Sequence, residues 1–329
     1  MIDFPKELSD LGYTEEGLEK DNPFNQFLYE GKEEKKPLVI YHANCADGFS
    51  AARCFHHYDN DRYEFFPGVY SKPPPDCTDR VVYLVDFSYK KDVVKEICKV
   101  AKIVVFLDHH KTAMDDLIDL DKKCSNFYNH SDINKSGAMI AWDYLFEHSG
   151  IEKPILLGHI QDRDLWKFKL PRTREISAAV FSYEYTFENW DILMGHDSVA
   201  LMHLSHAGAA IERKHHKDIA ELLVTCKYMM VIGDRVVPVA SLPYIFSSDA
   251  AHIMARDYNN GNDFAACYWD TPTGRTFSLR STEWGTDVSL VAAQYGGGGH
   301  KHAAGFSVSK DHRLANRVID GIVGDLHDL

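Results

Sequence analysis

With 329 residues the chain is long enough for two ordinary domains. Its formal net charge of −13 argues against a protein that coats long nucleic acid, which needs a basic surface. Hydrophobic residues make up 45%, enough for packed cores, and no run approaches the roughly 20 apolar residues of a membrane-spanning helix. The opening Met1-Ile2-Asp3-Phe4-Pro5-Lys6-Glu7 lacks the basic-then-apolar pattern of a secretory signal. Seven cysteines without a Cys-x-x-Cys pair support neither a disulfide framework nor a zinc ribbon, so a reducing, cytoplasmic setting is expected.

Residues 1–36 read as an N-terminal extension that ends in the charged run Lys32-Glu33-Glu34-Lys35-Lys36. A solvated arm is expected there, with Phe24, Phe27 and Tyr29 available to dock on the body. From Pro37 the pattern is α/β. Leu38-Val39-Ile40-Tyr41, Val81-Val82-Tyr83-Leu84-Val85 and Ile103-Val104-Val105-Phe106-Leu107 are short continuous apolar runs, as strands buried on both faces of a parallel sheet require. A helix over Lys91 to Val100 falls between the second and third. Strands alternating with helices predict a doubly wound, mainly parallel sheet domain over 37–195.

Leu201, Leu204, Ile211, Ile219 and Leu222 recur at helical spacing, so 196–226 is expected to hold one long connector helix. A smaller α/β domain over 227–329 follows. Its expected strands lie near Met229-Met230-Val231-Ile232 and Phe264-Ala265-Ala266-Cys267-Tyr268, ahead of the glycine run Gly296-Gly297-Gly298-Gly299.

Four polar clusters follow apolar runs in the first domain. They are His42-Ala43-Asn44-Cys45-Ala46-Asp47-Gly48, Asp86-Phe87-Ser88, Asp108-His109-His110 and Gln161-Asp162-Arg163-Asp164, the last after Ile155-Leu156-Leu157. In doubly wound sheets, sites form just past the carboxyl ends of strands. One Asp after a strand is ordinarily a turn or a helix cap. Four clusters offering Asp or His at successive strand ends are better explained by convergence on one point. Carboxylates and imidazoles without paired thiolates suit Mn²⁺ or Mg²⁺. Two such ions side by side clamp a phosphoryl group and activate a water.

Asp108-His109-His110 after an apolar strand resembles the signature of the DHH superfamily of phosphoesterases, of the nanoRNase and oligoribonuclease type. Asp47, Asp86 and Asp162 stand where that superfamily carries its other acidic motifs. Gly296-Gly297-Gly298-Gly299-His300-Lys301-His302-Ala303-Ala304-Gly305-Phe306 is similar to the glycine-histidine motif of the DHH-associated substrate domain. The resemblance covers roughly Leu38 to Val308. It implies that Asp86 bridges two metals, that Asp47, His109 and Asp162 complete one site, and that His42 belongs to the other. His110 would lie close by, either supporting the ligands from behind or as a proton donor to the leaving oxygen, and Asp108 would orient the histidines. Asp164 is an alternative to Asp162, with a surface salt bridge as its plainer role. Many members carry Asp-x-Asp-Gly where this chain has Cys45-Ala46-Asp47-Gly48, so either Cys45 is a ligand or the first metal site is weak.

On the substrate side, four glycines permit close backbone approach to a ligand and N–H groups that cradle phosphate. Ser136-Gly137-Ala138 is a weaker signal, for a helix opening near the metals. The resemblance implies that Arg280, on the strand Phe277-Ser278-Leu279-Arg280, meets the substrate together with Gly297, Gly298, Gly299, His300 and His302. The expected activity is metal-dependent hydrolysis of phosphodiester bonds in short oligonucleotides or dinucleotides, with no membrane partner and with a homodimer compatible. A polyphosphate or pyrophosphate hydrolase and a non-catalytic nucleotide sensor are the alternatives.

Overall fold

The computed structural model describes residues 35–315 apart from Asn44 and Ser71. The expected N-terminal extension, with Phe24, Phe27 and Tyr29, lies outside the described residues except for Lys35 and Lys36. The described residues divide into two compact units: one holds 35–109 and 113–209, and the other holds His110–Thr112 and 210–315.

The first unit is built on five parallel strands: β1 (Leu38–His42), β2 (Glu64–Gly68), β3 (Val81–Val85), β4 (Ile103–Leu107) and β5 (Phe127–Asn129), in the order β2-β1-β3-β4-β5. The central strands are buried along their length, and alternate residues feed two separate cores. Val39, Tyr83, Val85, Val105 and Leu107 pack to one side, against α1 (Ala46–Tyr58) and α4 (Gly137–Phe146). Leu38, Ile40, Val82, Leu84, Val104 and Phe106 pack to the other, under α2 (Lys91–Val100). This is why the apolar runs are continuous: both faces of each strand leave water. β2 is an edge strand, where Pro67 is tolerated because it has no ladder partner to serve on its outer side.

Between β4 and β5 lies α3 (Lys111–Leu117), and after α4 come α5 (Ile155–Asp164), α6 (Thr173–Val180) and α7 (Phe187–Met194). The Ile155-Leu156-Leu157 run therefore opens a helix behind Pro154 and does not form a strand, so the fourth polar cluster sits in the last turn of α5. The long helix is α8 (Ser198–Cys226), and the two units part inside it, between Ala209 and Ala210.

The second unit is a six-stranded sheet of β6 (Lys227–Ile232), β7 (Arg235–Ser241), β8 (Phe264–Thr271), β9 (Gly274–Ser281), β10 (Gly298–His300) and β11 (Ala303–Ser309), ordered β10-β11-β9-β8-β7-β6. All its pairings are antiparallel except β7 with β8. Helix α9 (Tyr244–Asp257) covers Ala240, Ala265 and Cys267 on one face, and α10 (Val288–Ala293) covers Phe264, Phe277 and Leu279 on the other. Among the described residues, no helix is long and apolar enough to cross a membrane. All seven cysteines are free thiols.

Candidate metal centre

Three strand ends and two helix ends bring the acidic residues of the first unit together. β1 ends in His42, and α1 begins immediately after Cys45, which places Asp47 in its first turn. That tight return depends on Gly48, because a Cβ there would lie 2.6 Å from the His42 carbonyl oxygen and 2.7 Å from its Cβ. β3 runs into Asp86, whose backbone N–H donates to the Leu107 carbonyl at 2.9 Å and whose φ is +52°. A left-handed conformation at a non-glycine residue stores strain and is concentrated at functional sites. β4 runs into Asp108 and His109, both fully buried, and the Asp108 carboxylate accepts the His109 backbone N–H at 2.7 Å. That bond fixes the turn which aims the His109 ring.

The His109 imidazole is surrounded by acids. Its Nε2 lies 3.1 Å from Asp86 Oδ1, 3.3 Å from Asp164 Oδ2 and 3.7 Å from Asp47 Oδ2. Asp47 also caps α4, its two oxygens accepting from the backbone N–H groups of Gly137 at 2.6 Å and Ala138 at 3.1 Å. A helix N-terminus is a favourable place for a carboxylate. On the other side of Asp86, Oδ2 lies 3.7 Å from His42 Nδ1, and one donor atom each of His42, Cys45 and Asp86 falls within 4.8 Å of the others. Asp47, His109 and Asp164 form a second such group.

The electrostatics follow from crowding like charges out of water. Burial pushes the Asp47 carboxyl well above the usual range, and the charges of Asp86 and Asp164 push it further. Burial and the charges of Asp86, Asp164 and Asp47 raise the Cys45 thiol. For His109, burial favours the neutral ring, but Asp164, Asp86 and Asp47 outweigh it and push its pKa up to about 10. Three acids and one imidazole thus crowd a single point with little water around them. A divalent cation matches such a point, since carboxylate oxygens with imidazole nitrogens are the donor set that Mg²⁺ and Mn²⁺ take.

The structure separates the two acids of α5. Asp162 does not face this cluster. Its carboxylate accepts from Lys169 N at 2.8 Å, from Leu170 N at 3.0 Å and from the Thr173 hydroxyl at 2.7 Å, while its carbonyl accepts from Lys167 N and Phe168 N. Burial alone would raise its pKa, yet those donors hold it below the ordinary carboxylate range. Asp162 thus organises the loop after α5, and Asp164, two residues on, is the one that meets His109. No spacing rule in the sequence distinguishes the two; the phase of the helix does.

A second feature concerns Gly137. A Cβ at this position would sit 2.4 Å from Asp86 Cβ and 2.8 Å from its Oδ1, so only glycine allows the α4 N-terminus to reach the acids. Ser136 caps that helix, its hydroxyl accepting from Met139 N at 3.4 Å.

In the second unit, register places two of the expected substrate residues on one rung. His300 pairs with Ala303 and Ala303 with Arg280, so Arg280 and His300 share a sheet face with a small residue between them. The Arg280 guanidinium donates to Ser248 Oγ at 2.7 Å and to the Leu279 carbonyl at 2.8 Å. The glycine run does not form one open cradle. Gly296 and Gly297 close α10 by donating to the Ala293 and Ala292 carbonyls, and Gly298 and Gly299 belong to edge strand β10. His302 Nδ1 lies 3.0 Å from Ser281 Oγ, and burial and Lys301 lower its pKa. His110 belongs to the second unit.

No family model matches the chain. Over 295 residues it is 30% identical to the uncharacterized protein R106 of Acanthamoeba polyphaga mimivirus, a match that covers 83% of this chain and 67% of that protein. The chain belongs to the R106 family. Solved structures similar to this R106 relative include the pGpG-specific phosphodiesterase PggH from Vibrio cholerae, at 16% identity and TM-score 0.39 over 84% of this chain and 94% of that one. They also include RecJ from Thermus thermophilus in complex with Mn²⁺, at 12% identity and TM-score 0.38 over 84% and 50%. CDC45 from Entamoeba histolytica aligns at 8% identity and TM-score 0.45 over 85% and 93%. At TM-scores below 0.5 these likenesses decide neither substrate nor activity. The resemblance to DHH phosphoesterases lies in the motifs themselves, whose Asp86 and His109 stand at the ends of adjacent parallel strands.

Proposed function

We propose that this protein is a divalent-metal-dependent phosphoesterase of the DHH type, and that it hydrolyses phosphodiester bonds in short oligonucleotides or dinucleotides. The observation that carries the reading is the division of Asp86: Oδ1 faces His109, whose Nε2 also meets Asp47 and Asp164, and Oδ2 faces His42. One carboxylate shared between two donor groups is the arrangement a bridging ligand needs.

Asp47, Asp86, His109 and Asp164 would hold one ion, and His42, Cys45 and Asp86 the other, with Mn²⁺ or Mg²⁺ as the fitting metals. When bound, such ions polarise a phosphoryl oxygen and lower the pKa of a water to the neutral range. The chain's own groups do the rest. Asp108 locks the turn at His109, so the ring keeps Nε2 on the acids. The α4 N-terminus holds Asp47 in place and lends its dipole to a site that receives anionic substrate. His110 is proposed as the group that returns a proton to the leaving oxygen. In the second unit Arg280, His300, His302 and Gly297 to Gly299 are proposed as substrate contacts, Arg280 by charge-assisted hydrogen bonds to phosphate.

The test is a panel of substrates with Mn²⁺: pApA, short RNA, cyclic dinucleotides, 3′-phosphoadenosine 5′-phosphate and inorganic polyphosphate. The proposal expects turnover of pApA or short RNA well above that of polyphosphate. Preference for polyphosphate would move the protein to the inorganic class, and inertness to every member would remove the enzymatic reading.

A further inference from the structure

Immediately beyond Asp164 the chain changes character. In a protein of net charge −13, the segment from Arg163 to Arg174 carries five basic residues against one acid, with two aromatic rings set among them. The structure assembles these groups. The Arg163 guanidinium carbon lies 4.2 Å from the centre of the Trp166 ring and 5.9 Å from that of Phe181. The Arg174 carbon lies 3.6 Å from the centre of Phe168, and the Trp166 and Phe168 rings meet edge to face at 5.1 Å.

The backbone that carries the rings is held in an unusual conformation. Trp166 and Phe168 have φ of +55° and +48°, a region that bulky side chains avoid, and Arg172 has +61°. Asp162 pins the segment through four backbone N–H groups and the Thr173 hydroxyl. Trp166 and Phe168 are only half-buried, Phe181 is 48% exposed, and Lys167, Lys169 and Arg172 lie in solvent.

We propose that this strip, from Arg163 to Arg174 with Phe181, binds single-stranded nucleic acid, stacking bases on Trp166 and Phe168 and meeting phosphates with the flanking arginines and lysines. Aromatic rings among cationic side chains are the combination that holds unpaired strands, because every base has a face to stack and every linkage a charge to meet. Trp166 follows Asp164 by two positions, a separation that cannot exceed about 7 Å along the backbone, so the strip begins next to the acid that meets His109. The inference rests on the phosphoesterase reading and narrows its substrate to a strand carrying bases, against a polyphosphate chain.

The test is binding in EDTA, which leaves hydrolysis out of the measurement. The full chain is titrated into a fluorescein-labelled five-nucleotide oligoadenylate, and separately into an abasic oligomer of equal length and charge. The wild type is expected to prefer the base-bearing strand by roughly tenfold or more, given stacking energies at each ring. Trp166→Leu and Phe168→Leu should each erase most of that preference and leave abasic binding unchanged. Arg174→Gln should weaken both ligands alike and reduce the slope of log affinity against log salt by about one. Thermal melting of each variant identifies any that fails to fold, and the arginine variant then carries the test alone. Equal wild-type affinity for the two strands, or an Arg174→Gln salt slope equal to wild type, overturns the proposal. Because the assay contains no metal, its failure is separate from a failure of the hydrolytic reading, which the substrate panel measures.

Discussion

Gly137 stands so close to Asp86 that a single added methyl group would lie 2.4 Å from the Asp86 Cβ. The contact couples a helix start to a ligand candidate, and it gives a conservative way to disturb the site. Gly137→Ala must push Asp86 or the α4 N-terminus aside, and overpacking of this kind costs about 1–3 kcal/mol. The expected outcome is a fall in Mn²⁺ affinity of at least tenfold, read by calorimetric titration. A neighbouring Ala138→Gly variant should retain affinity within a few-fold.

Asp162 and Asp164 should separate cleanly. Asp164→Asn removes an acid that faces His109 and is expected to reduce metal affinity sharply with little loss of stability. Asp162→Asn weakens the bonds that hold Lys169, Leu170 and Thr173, so it should cost about 1.5–3 kcal/mol in urea unfolding. Measuring both quantities on both variants gives opposite patterns if the two roles are assigned correctly.

Asp162 also predicts a pH dependence. Its folded pKa is held down by hydrogen bonds from Thr173, Lys169 and Leu170. A depressed carboxylate contributes stability that is fully present above its unfolded value of about 3.9 and is lost as pH falls through the folded value. The stability gap between wild type and Asp162→Asn should therefore be constant from pH 7 to about 5 and shrink at lower pH. A gap that grows on acidification would reverse the sign of the argument.

Cys45 stands with His42 and Asp86 where a carboxylate is common among DHH enzymes. If its thiolate is a ligand, Cys45→Ser should lower metal occupancy, measured by plasma mass spectrometry after dialysis, and Cys45→Asp should restore it. Unchanged occupancy in both variants would return Cys45 to a packing role.

The sheet of the first unit is legible in the sequence because β1, β3 and β4 are buried on both faces and announce themselves as unbroken apolar runs. Helix α5 is not, since Ile155-Leu156-Leu157 is too short for periodicity to distinguish strand from helix. The resemblance implies Asp162 with Asp164 as the alternative, and only the phase of the helix end selects Asp164. On a strand the two would share a face, whereas on a helix end they point apart. Gly137 carries little signal because its necessity comes from Asp86, far away in sequence. The shared face of Arg280 and His300 depends on register across three strands, which composition does not encode. The basic, aromatic strip after Asp164 is in plain view in the sequence, yet the chain's overall charge of −13 obscures it.

The central claim is that the acids around His109 form a phosphoesterase metal centre, in which Asp86 meets His109 through Oδ1 and His42 through Oδ2. The most direct measurement is the Mn²⁺-dependent rate of pApA hydrolysis for wild type and Asp86→Ala, with folding of the variant checked by circular dichroism. The account predicts wild-type turnover that EDTA abolishes and Mn²⁺ restores, and a variant rate below about a tenth of wild type, since losing a shared ligand removes several kcal/mol of transition-state stabilisation. A folded Asp86→Ala protein that hydrolyses pApA at the wild-type rate, or wild-type turnover indifferent to EDTA, would contradict it.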